Sequence, residues 1–331
     1  MADDPGAELW AMAHLGTPMA IRVAATLRLA DHLAAGLGTA AELAEAAGAH
    51  PDALDRLLRY LAVRGVFCRD DAGRYGLTAL GQALRSDHPA RMRAGLDLAG
   101  IGRIELAFTG LLHSVRTGEP AFEQVFGHDF WQDLAADPQR RAGFAAWMAS
   151  DLPSRSRQLL AGYDWGALGS LVDVGGGNGT LLVALLKQYP ALRGTVLDRA
   201  ENIGDAHRAL VEAGLAGRGE AVAGSFFDPL PAGAGGYLLS LILHDWADQP
   251  ATNILRRCAE AAGESGRVLV VERTGADGES AHTGMDLRML AVYGGKERRV
   301  AELAGLAEAA GLAMVAVHPA GQYSIVELRP G

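Results

Sequence analysis

The sequence predicts an α/β protein in two parts: a seven-stranded, doubly wound, Rossmann-like sheet from about residue 168 onward, preceded by a smaller, mainly helical winged-helix region. Three observations predict this. Short apolar runs alternate with helical periodicity through the second half of the chain. The run Leu171-Val172-Asp173-Val174-Gly175-Gly176-Gly177-Asn178-Gly179-Thr180 carries an apolar strand through a carboxylate into glycines that open a helix. The first 95 residues hold periodic, Ala-rich runs that end in two short strands around an Asp/Gly turn.

In chain order, helical runs are expected at 18–35, 39–47 and 51–64, separated by Gly36-Leu37-Gly38 and Gly48-Ala49-His50-Pro51, with Thr39 and His50/Pro51 at helix starts. The hairpin Gly65–Thr78 follows and completes the winged helix. Residues 96–165 continue as helices rich in bulky apolar side chains, and Asp164-Trp165-Gly166 marks entry to the sheet. Strands are expected near 170–174, 194–198, 219–223, 236–242 and 266–272, each followed by a helix. Two more, 312–318 and 323–329, are joined by only a few residues around Pro319 and Gly321, so they form an antiparallel hairpin and leave one strand reversed. The expected division is 1–95 and 96–331.

With 331 residues the chain can hold two cores, and a net charge of −9 argues against nucleic acid or an anionic membrane as its main partner. Cys68 and Cys258 stand far apart, which suggests neither a disulfide nor a zinc site and fits a reducing cytoplasm. The start, Met-Ala-Asp-Asp-Pro, lacks the basic and apolar segments of a signal peptide, and no uninterrupted run is long enough to span a membrane. The winged helix opens a second reading, a ligand-responsive DNA-binding regulator, since 51–64 carries Arg56, Arg59 and Arg64. Asp52 and Asp55 share that helix and Asp70 and Asp71 occupy the wing tip, so these arginines read as a solvated or dimer-facing surface.

The glycine turn reads as a cofactor cradle. Without side chains at Gly175, Gly177 and Gly179 the backbone turns sharply and comes close to a ligand, while helix Thr180–Gln188 aims its N-terminus at the site. Asp198, ending the next strand, pairs with Asp173 as an acid for ribose hydroxyls. A dinucleotide fingerprint needs a third glycine where Thr180 stands, and Asp173 would repel a pyrophosphate. A cofactor with a sulfonium, an ammonium and no phosphate suits the turn, which favours S-adenosylmethionine over the NAD of a dehydrogenase.

Strand 236–242 ends in Leu243-His244-Asp245-Trp246, at the sheet edge where doubly wound folds bind ligands. His244 there can take a proton from a hydroxyl near neutral pH. Glu272, ending the strand Val268–Val271, and Glu297, in Gly294-Gly295-Lys296-Glu297-Arg298, stand where a carboxylate would orient that imidazole. No carboxylate/His ligand cluster is visible, so no metal is expected.

Taken with Gly224-Ser225-Phe226-Phe227-Asp228, Ile254–Cys258 and Met285-Asp286-Leu287, these motifs resemble the S-adenosylmethionine-dependent small-molecule O-methyltransferases with an N-terminal dimerisation domain, as in plant caffeic acid and acetylserotonin methyltransferases and actinobacterial natural-product enzymes. The likeness covers nearly the whole chain. It implies His244 as catalytic base flanked by Glu272 and Glu297, and a cofactor held by Asp173, Gly175, Gly177, Asp198, Ser225, Phe226, Ser240 and Trp246. The family often has an acid where Ser225 stands, which shifts the adenine contacts toward Phe226 stacking and backbone groups.

The resemblance further implies a homodimer through residues 1–95, with apolar faces at Leu15, Met19, Val23, Leu27 and Leu61. It also implies a hydroxylated aromatic substrate walled by Trp10, Phe144, Trp147, Met148, Asp245, Met285, Met289 and Tyr293. Gly224–Tyr237 and Gly284–Leu290 are most similar to actinobacterial enzymes that methylate a hydroxynaphthoate unit. There an arginine near the chain start is expected to anchor the substrate carboxylate; here Trp10 stands at that position, leaving Arg22, Arg103 or Arg288 as the candidates for such an anchor.

Overall fold

The computed structural model describes residues 4–275, 279 and 282–331, the side chains of residues 149 and 150 aside; residues 1–3, which open the acidic N-terminal stretch, lie outside the described residues. The chain forms two compact units, one of residues up to Leu106 with Asp137–Trp147, the other of Ala107–Ala136 with Met148–Gly331. Residues 96–106 therefore group with the helical region that was expected to close at 95.

The first unit begins with α1 (Pro5–Ala13), which Asp4 caps by accepting the Gly6 and Ala7 N–H groups at 2.9 and 3.2 Å. The run expected as one helix over 18–35 is two, α2 (Gly16–Thr26) and α3 (Leu29–Ala34), broken where Arg28 takes a left-handed φ of 53°. A capping box of Thr39 and Glu42 starts α4 (Ala40–Ala47), and Pro51 starts α5 (Pro51–Val63), whose Leu54, Leu58 and Leu61 are buried. The wing, β1 (Phe67–Arg69) and β2 (Tyr75–Leu77), pairs Phe67 with Leu77. Short helices α6 (Ala79–Gln82) and α7 (Met92–Leu96) and a 3-10 stretch, Ile101–Gly110, follow.

One expectation changes here. Leu61 does not face outward: it is fully buried with Leu29, Leu43, Leu58 and Phe67 in the unit's own core. The arginines of α5 form no basic stripe, because Arg56 pairs with Asp52 at 2.7 Å, Arg59 with Asp55 at 2.9 Å, and Arg64 lies over the Tyr60 ring.

Helices α8 (Leu111–Thr117), α9 (Ala121–Phe126), α10 (Phe130–Ala136), α11 (Pro138–Ser150) and α12 (Leu152–Gly162) lead to the sheet. Its elements are β3 (Ser170–Val174), α13 (Thr180–Gln188), β4 (Arg193–Asp198), α14 (Ala200–Glu212), β5 (Gly219–Ala223), β6 (Gly236–Ser240), α15 (Asp248–Ala262), β7 (Arg267–Glu272), α16 (Thr283–Tyr293), α17 (Val300–Ala309), β8 (Leu312–Ala320) and β9 (Tyr323–Pro330). The strand order is β5-β4-β3-β6-β7-β9-β8, with only β9 reversed. One expected helix is missing: β5 runs to β6 through a non-helical segment, where Pro229, Pro231 and several glycines oppose helix formation.

The sheet has two apolar faces. Leu171, Leu238, Leu269 and Ile325 pack with leucines of α12 and α13, while Val172, Val174, Leu239, Val268 and Val270 pack with α15 and α17. Each such side chain taken from water contributes about 1.5–3 kcal/mol, and this pins the strand ends that carry the polar residues.

Candidate active site

The cradle forms at the carboxyl end of β3. Gly175 has φ 74°, and a Cβ there would lie 2.6 Å from Ile242 Cδ1 and 3.5 Å from the Phe226 ring, so glycine is required both by conformation and by crowding. The turn is tied to β4: Asp198 Oδ2 accepts the Gly177 N–H at 2.7 Å, and Oδ1 accepts from Arg199 N at 2.7 Å and Asn202 Nδ2 at 2.8 Å. Asp173 is almost wholly buried, and its Oδ2 has no hydrogen-bond partner among the described residues. Burial, opposed by the Arg155 charge and aided by Asp198, pushes its carboxyl up to about 7. Ser240, ending β6, likewise has a buried Oγ without a partner. A cationic ligand head would satisfy these groups, so the cradle fits S-adenosylmethionine.

The aromatic groups beside it were only partly expected. Phe226 and Phe227 meet Trp246 edge-on, with centroids 5.8 and 4.9 Å away, and Trp246 stacks on Trp131 at 6.1 Å. Arg199 lies over Trp131. Trp131 was read only as one of many bulky residues, because pairing with Trp246 across more than a hundred residues leaves no local signal. Ser225 turns inward, its Oγ accepting the Phe227 N–H at 3.2 Å.

His244 lies on a single 3-10 turn, Leu243–Asp245, directly after β6, where Leu241 is held at φ 57°. Its Nδ1 is 2.9 Å from Glu297 Oε1 and 3.8 Å from Glu272 Oε2, and its backbone N–H donates to Glu272 Oε1 at 3.3 Å. Glu297 therefore orients the ring, while Glu272 holds the turn and adds charge. Asp245, expected at the substrate wall, has Oδ1 3.5 Å from Nε2. Burial opposes protonation of His244, but Glu272, Asp245 and Glu297 outweigh it and raise the imidazole to about 9. Burial raises Glu272 to about 7 and Asp245 to about 6, against the pull of His244.

Sequence reasoning missed what fixes this turn. Arg298, 2% exposed, donates to the carbonyls of Leu243 at 2.8 Å and Trp246 at 2.7 Å, and pairs with Asp248. Lys296 N–H donates to the His244 carbonyl at 2.8 Å, and a Cβ on Gly295 would collide with that same oxygen. The Gly294–Arg298 motif carried a signal, but it was attached to Glu297 alone.

The expected wall residues divide between the units. Trp10 on α1 is 71% exposed, and Phe144 and Trp147 on α11 are half-buried, all in the first unit. In the second, Met148 is exposed, Met285 half-buried and Met289 3% exposed, and Tyr293 packs edge-on to Phe130 at 4.8 Å and at a tilt on Trp131 at 5.7 Å. Among the described residues no three or more His, Cys, Asp or Glu side chains group as metal ligands, and no helix is long and apolar enough to cross a membrane.

Comparison with known proteins fits this arrangement. An O-methyltransferase domain matches residues 108–313, and an O-methyltransferase dimerisation domain matches residues 11–87. The chain is 57% identical over 321 residues to a 2,7-dihydroxy-5-methyl-1-naphthoate 7-O-methyltransferase of Streptomyces carzinostaticus, covering 97% of this chain and 96% of that relative. It is 44% identical to aclacinomycin 10-hydroxylase RdmB of Streptomyces purpurascens, covering 95% and 86%. Among solved structures it is similar to the O-methyltransferase NcsB1 from neocarzinostatin biosynthesis, in complex with S-adenosylmethionine and 2-hydroxy-5-methyl naphthoic acid: 56% identity, 98% of each chain and a TM-score of 0.93.

Proposed function

This chain belongs to the S-adenosylmethionine-dependent O-methyltransferase family, and we propose that it methylates a phenolic hydroxyl of a bicyclic or polyketide-derived aromatic natural product, with His244 as the base. The observation that carries the proposal is the imidazole held by Glu297 at 2.9 Å on Nδ1, which leaves Nε2 to accept a proton. When bound, the cofactor supplies an electrophilic methyl on its sulfonium. Glu297 accepts the Nδ1–H bond and steadies the positive ring that forms as Nε2 takes the phenolic proton; Glu272, 3.8 Å from the same Nδ1, adds negative charge. Asp173, Gly175, Gly177, Asp198, Ser225, Phe226, Ser240 and Trp246 would hold the cofactor. Met148, Asp245, Met285, Met289 and Tyr293, with Trp10, Phe144 and Trp147 of the first unit, are proposed as the wall for a flat ring.

Similarity to a naphthoate 7-O-methyltransferase supports a fused aromatic substrate, and Trp10 in place of an arginine points to one that lacks the carboxylate or has it held elsewhere. Work in the cytoplasm, supported by two free thiols, and a homodimer through residues 1–95, supported by the dimerisation domain, belong to the same proposal.

A methyl-transfer screen of hydroxynaphthoates, simple phenols, flavonoids and multicyclic quinones, with products read by mass spectrometry, tests the substrate. On an accepted substrate His244→Ala should lose on the order of 100-fold or more in turnover, and wild-type turnover in that variant would remove His244 as base. Hydroxylated products without methyl transfer would move the chain toward its hydroxylase relative.

A further inference from the structure

Arg273 follows Glu272 directly, at the carboxyl edge of β7 and in the same unit as His244. Strand alternation separates the two side chains. Val270 packs with α15 and α17 and Val271 with α12 and α13, so Glu272 follows Val270 and reaches the imidazole, while Arg273 follows Val271 and reaches Tyr323 and Asp151. The guanidinium and the acids of the proposed base therefore spring from one strand end.

The guanidinium is poorly satisfied there. Among the described residues its two hydrogen bonds, to Asp151 Oδ2 and Tyr323 OH, both leave from Nη2 at 3.3 Å, whereas charge-assisted bonds ordinarily close to about 2.7–2.9 Å. Nε is buried and has no partner among the described residues, yet the side chain as a whole is 20% exposed, so a ligand can reach it. Asp151 is bound more closely by Tyr323, whose hydroxyl donates to the same Oδ2 at 2.6 Å. The Tyr323 ring, 1% exposed, lies against the guanidinium with its centroid 5.5 Å from Cζ. A fixed ring thus aims a cation that its neighbours only partly neutralise. Such a group takes a planar anion. The surrounding acids decide which one: Glu297 acts on Arg273 through its charge, Glu272 is its chain neighbour and Asp151 its ion-pair partner, and three carboxylates would repel a phosphate dianion more than a singly charged carboxylate.

We propose that Arg273 receives a carboxylate of the aromatic acceptor, which makes the substrate a hydroxyaryl carboxylic acid. The assignment rests on the reading of His244 as base toward a phenolic hydroxyl and narrows the substrate class of that same site. The carboxylate that Trp10 cannot hold then has a seat at the end of β7. The competing role for Arg273 is that of a counter-ion tying β7 to Asp151, indifferent to what the acceptor carries.

Matched acceptors separate these roles: kcat/KM for a hydroxynaphthoate, with 3,7-dihydroxy-2-naphthoate as the first probe, is compared with that for the same ring without its carboxylate, 2,6-dihydroxynaphthalene. Wild type should prefer the acid by at least ~10-fold, since hydrogen bonds to charged groups amount to roughly 10–100-fold. Arg273→Met should lose most of that preference through a higher KM for the acid, while calorimetry finds S-adenosylhomocysteine bound within about 3-fold of wild type. Arg273→Lys should recover part of the preference, since it restores the charge without the planar fork. Should Arg273→Met fail to fold, Arg273→Gln gives the same ratio with a smaller perturbation. A preference retained in the variants, or equal losses on both acceptors, leaves Arg273 a counter-ion and overturns the assignment. A loss confined to S-adenosylhomocysteine binding also overturns it, by placing Arg273 on the cofactor. Wild type that methylates the naphthol as well as the acid overturns it while sparing His244 as base; no transfer to any aromatic hydroxyl overturns the reading of the site itself.

Discussion

Glu297 and Glu272 share one imidazole unequally, and the inequality has a pH signature. As the proposed base His244 must be neutral to act, and against the effect of burial it is raised to about 9, with Glu272 the first of the charges that raise it. Methyl transfer should therefore climb as pH rises toward about 9. Glu272→Gln should move that rise to lower pH, measured as kcat/KM against pH; an unmoved profile would show that Glu272 does not bear on the base. The sign for stability is opposite. Because the folded imidazole holds its proton more tightly than an unfolded one at 6.5, its stabilising contribution is complete below about 6.5 and is lost as pH rises through about 9. Asp173 works against the fold in another window: its carboxyl is raised from 3.8 to about 7, so stability falls as pH rises between those values, by on the order of 4 kcal/mol at most. Asp173→Asn removes the buried carboxylate and should raise the ligand-free melting midpoint at pH 8, by only about 1–2 kcal/mol of stability since the loss of a counter-charge for Arg155 offsets part of the gain, while weakening S-adenosylhomocysteine binding. A lower midpoint together with unchanged binding would contradict both halves.

At the scale of elements, the proposed base sits on a turn clamped by a loop about fifty residues away. Arg298→Met would leave the carbonyls of Leu243 and Trp246 without their buried donor, at a cost of about 2–5 kcal/mol, while the largely exposed Asp248 turns to water. Lys should rescue little, since one ammonium cannot reproduce the planar fork that reaches both carbonyls. Thermal melting alongside turnover at a temperature where the variant is folded checks this; a variant with wild-type melting would show the clamp to be dispensable. The same turn marks what the sequence could tell. The cradle was legible because glycines, an acid and a strand-to-helix switch lie within ten residues, and the β8–β9 hairpin because a short Pro/Gly connection permits little else. The Arg298 clamp was not, since its targets, the carbonyls of Leu243 and Trp246, lie more than fifty residues earlier and only the tertiary fold brings them to it. The break between α2 and α3 escaped for a local reason: Arg28 is neither glycine nor proline, and nothing in its composition announces a positive φ.

For the whole molecule, the open question is what covers α1. This nine-residue helix has no buried residue, and Leu9, Trp10 and Met12 are 66%, 71% and 79% exposed. A helix so short is marginal in water unless an apolar face is packed, and these residues, with Leu15 at 64%, give it one. The occupant proposed is a second copy of the chain, since the dimerisation domain matched over residues 11–87 begins within α1. Leu61, expected on that face, is spent inside the first unit's own core, so the proposed interface shifts toward the N-terminal end of the chain. Sedimentation at micromolar concentration should give twice the chain mass for wild type. The double substitution Leu9→Glu/Met12→Glu should weaken the dimer by ~100-fold or more, since it places charge where apolar surface is to be buried, while leaving the first unit's core and its melting intact. If Trp10 also meets substrate, the same variant should raise KM for the aromatic acceptor and leave S-adenosylhomocysteine binding unchanged. A dimer of undiminished affinity would move the interface away from α1 and take Trp10 out of the proposed wall's supporting argument.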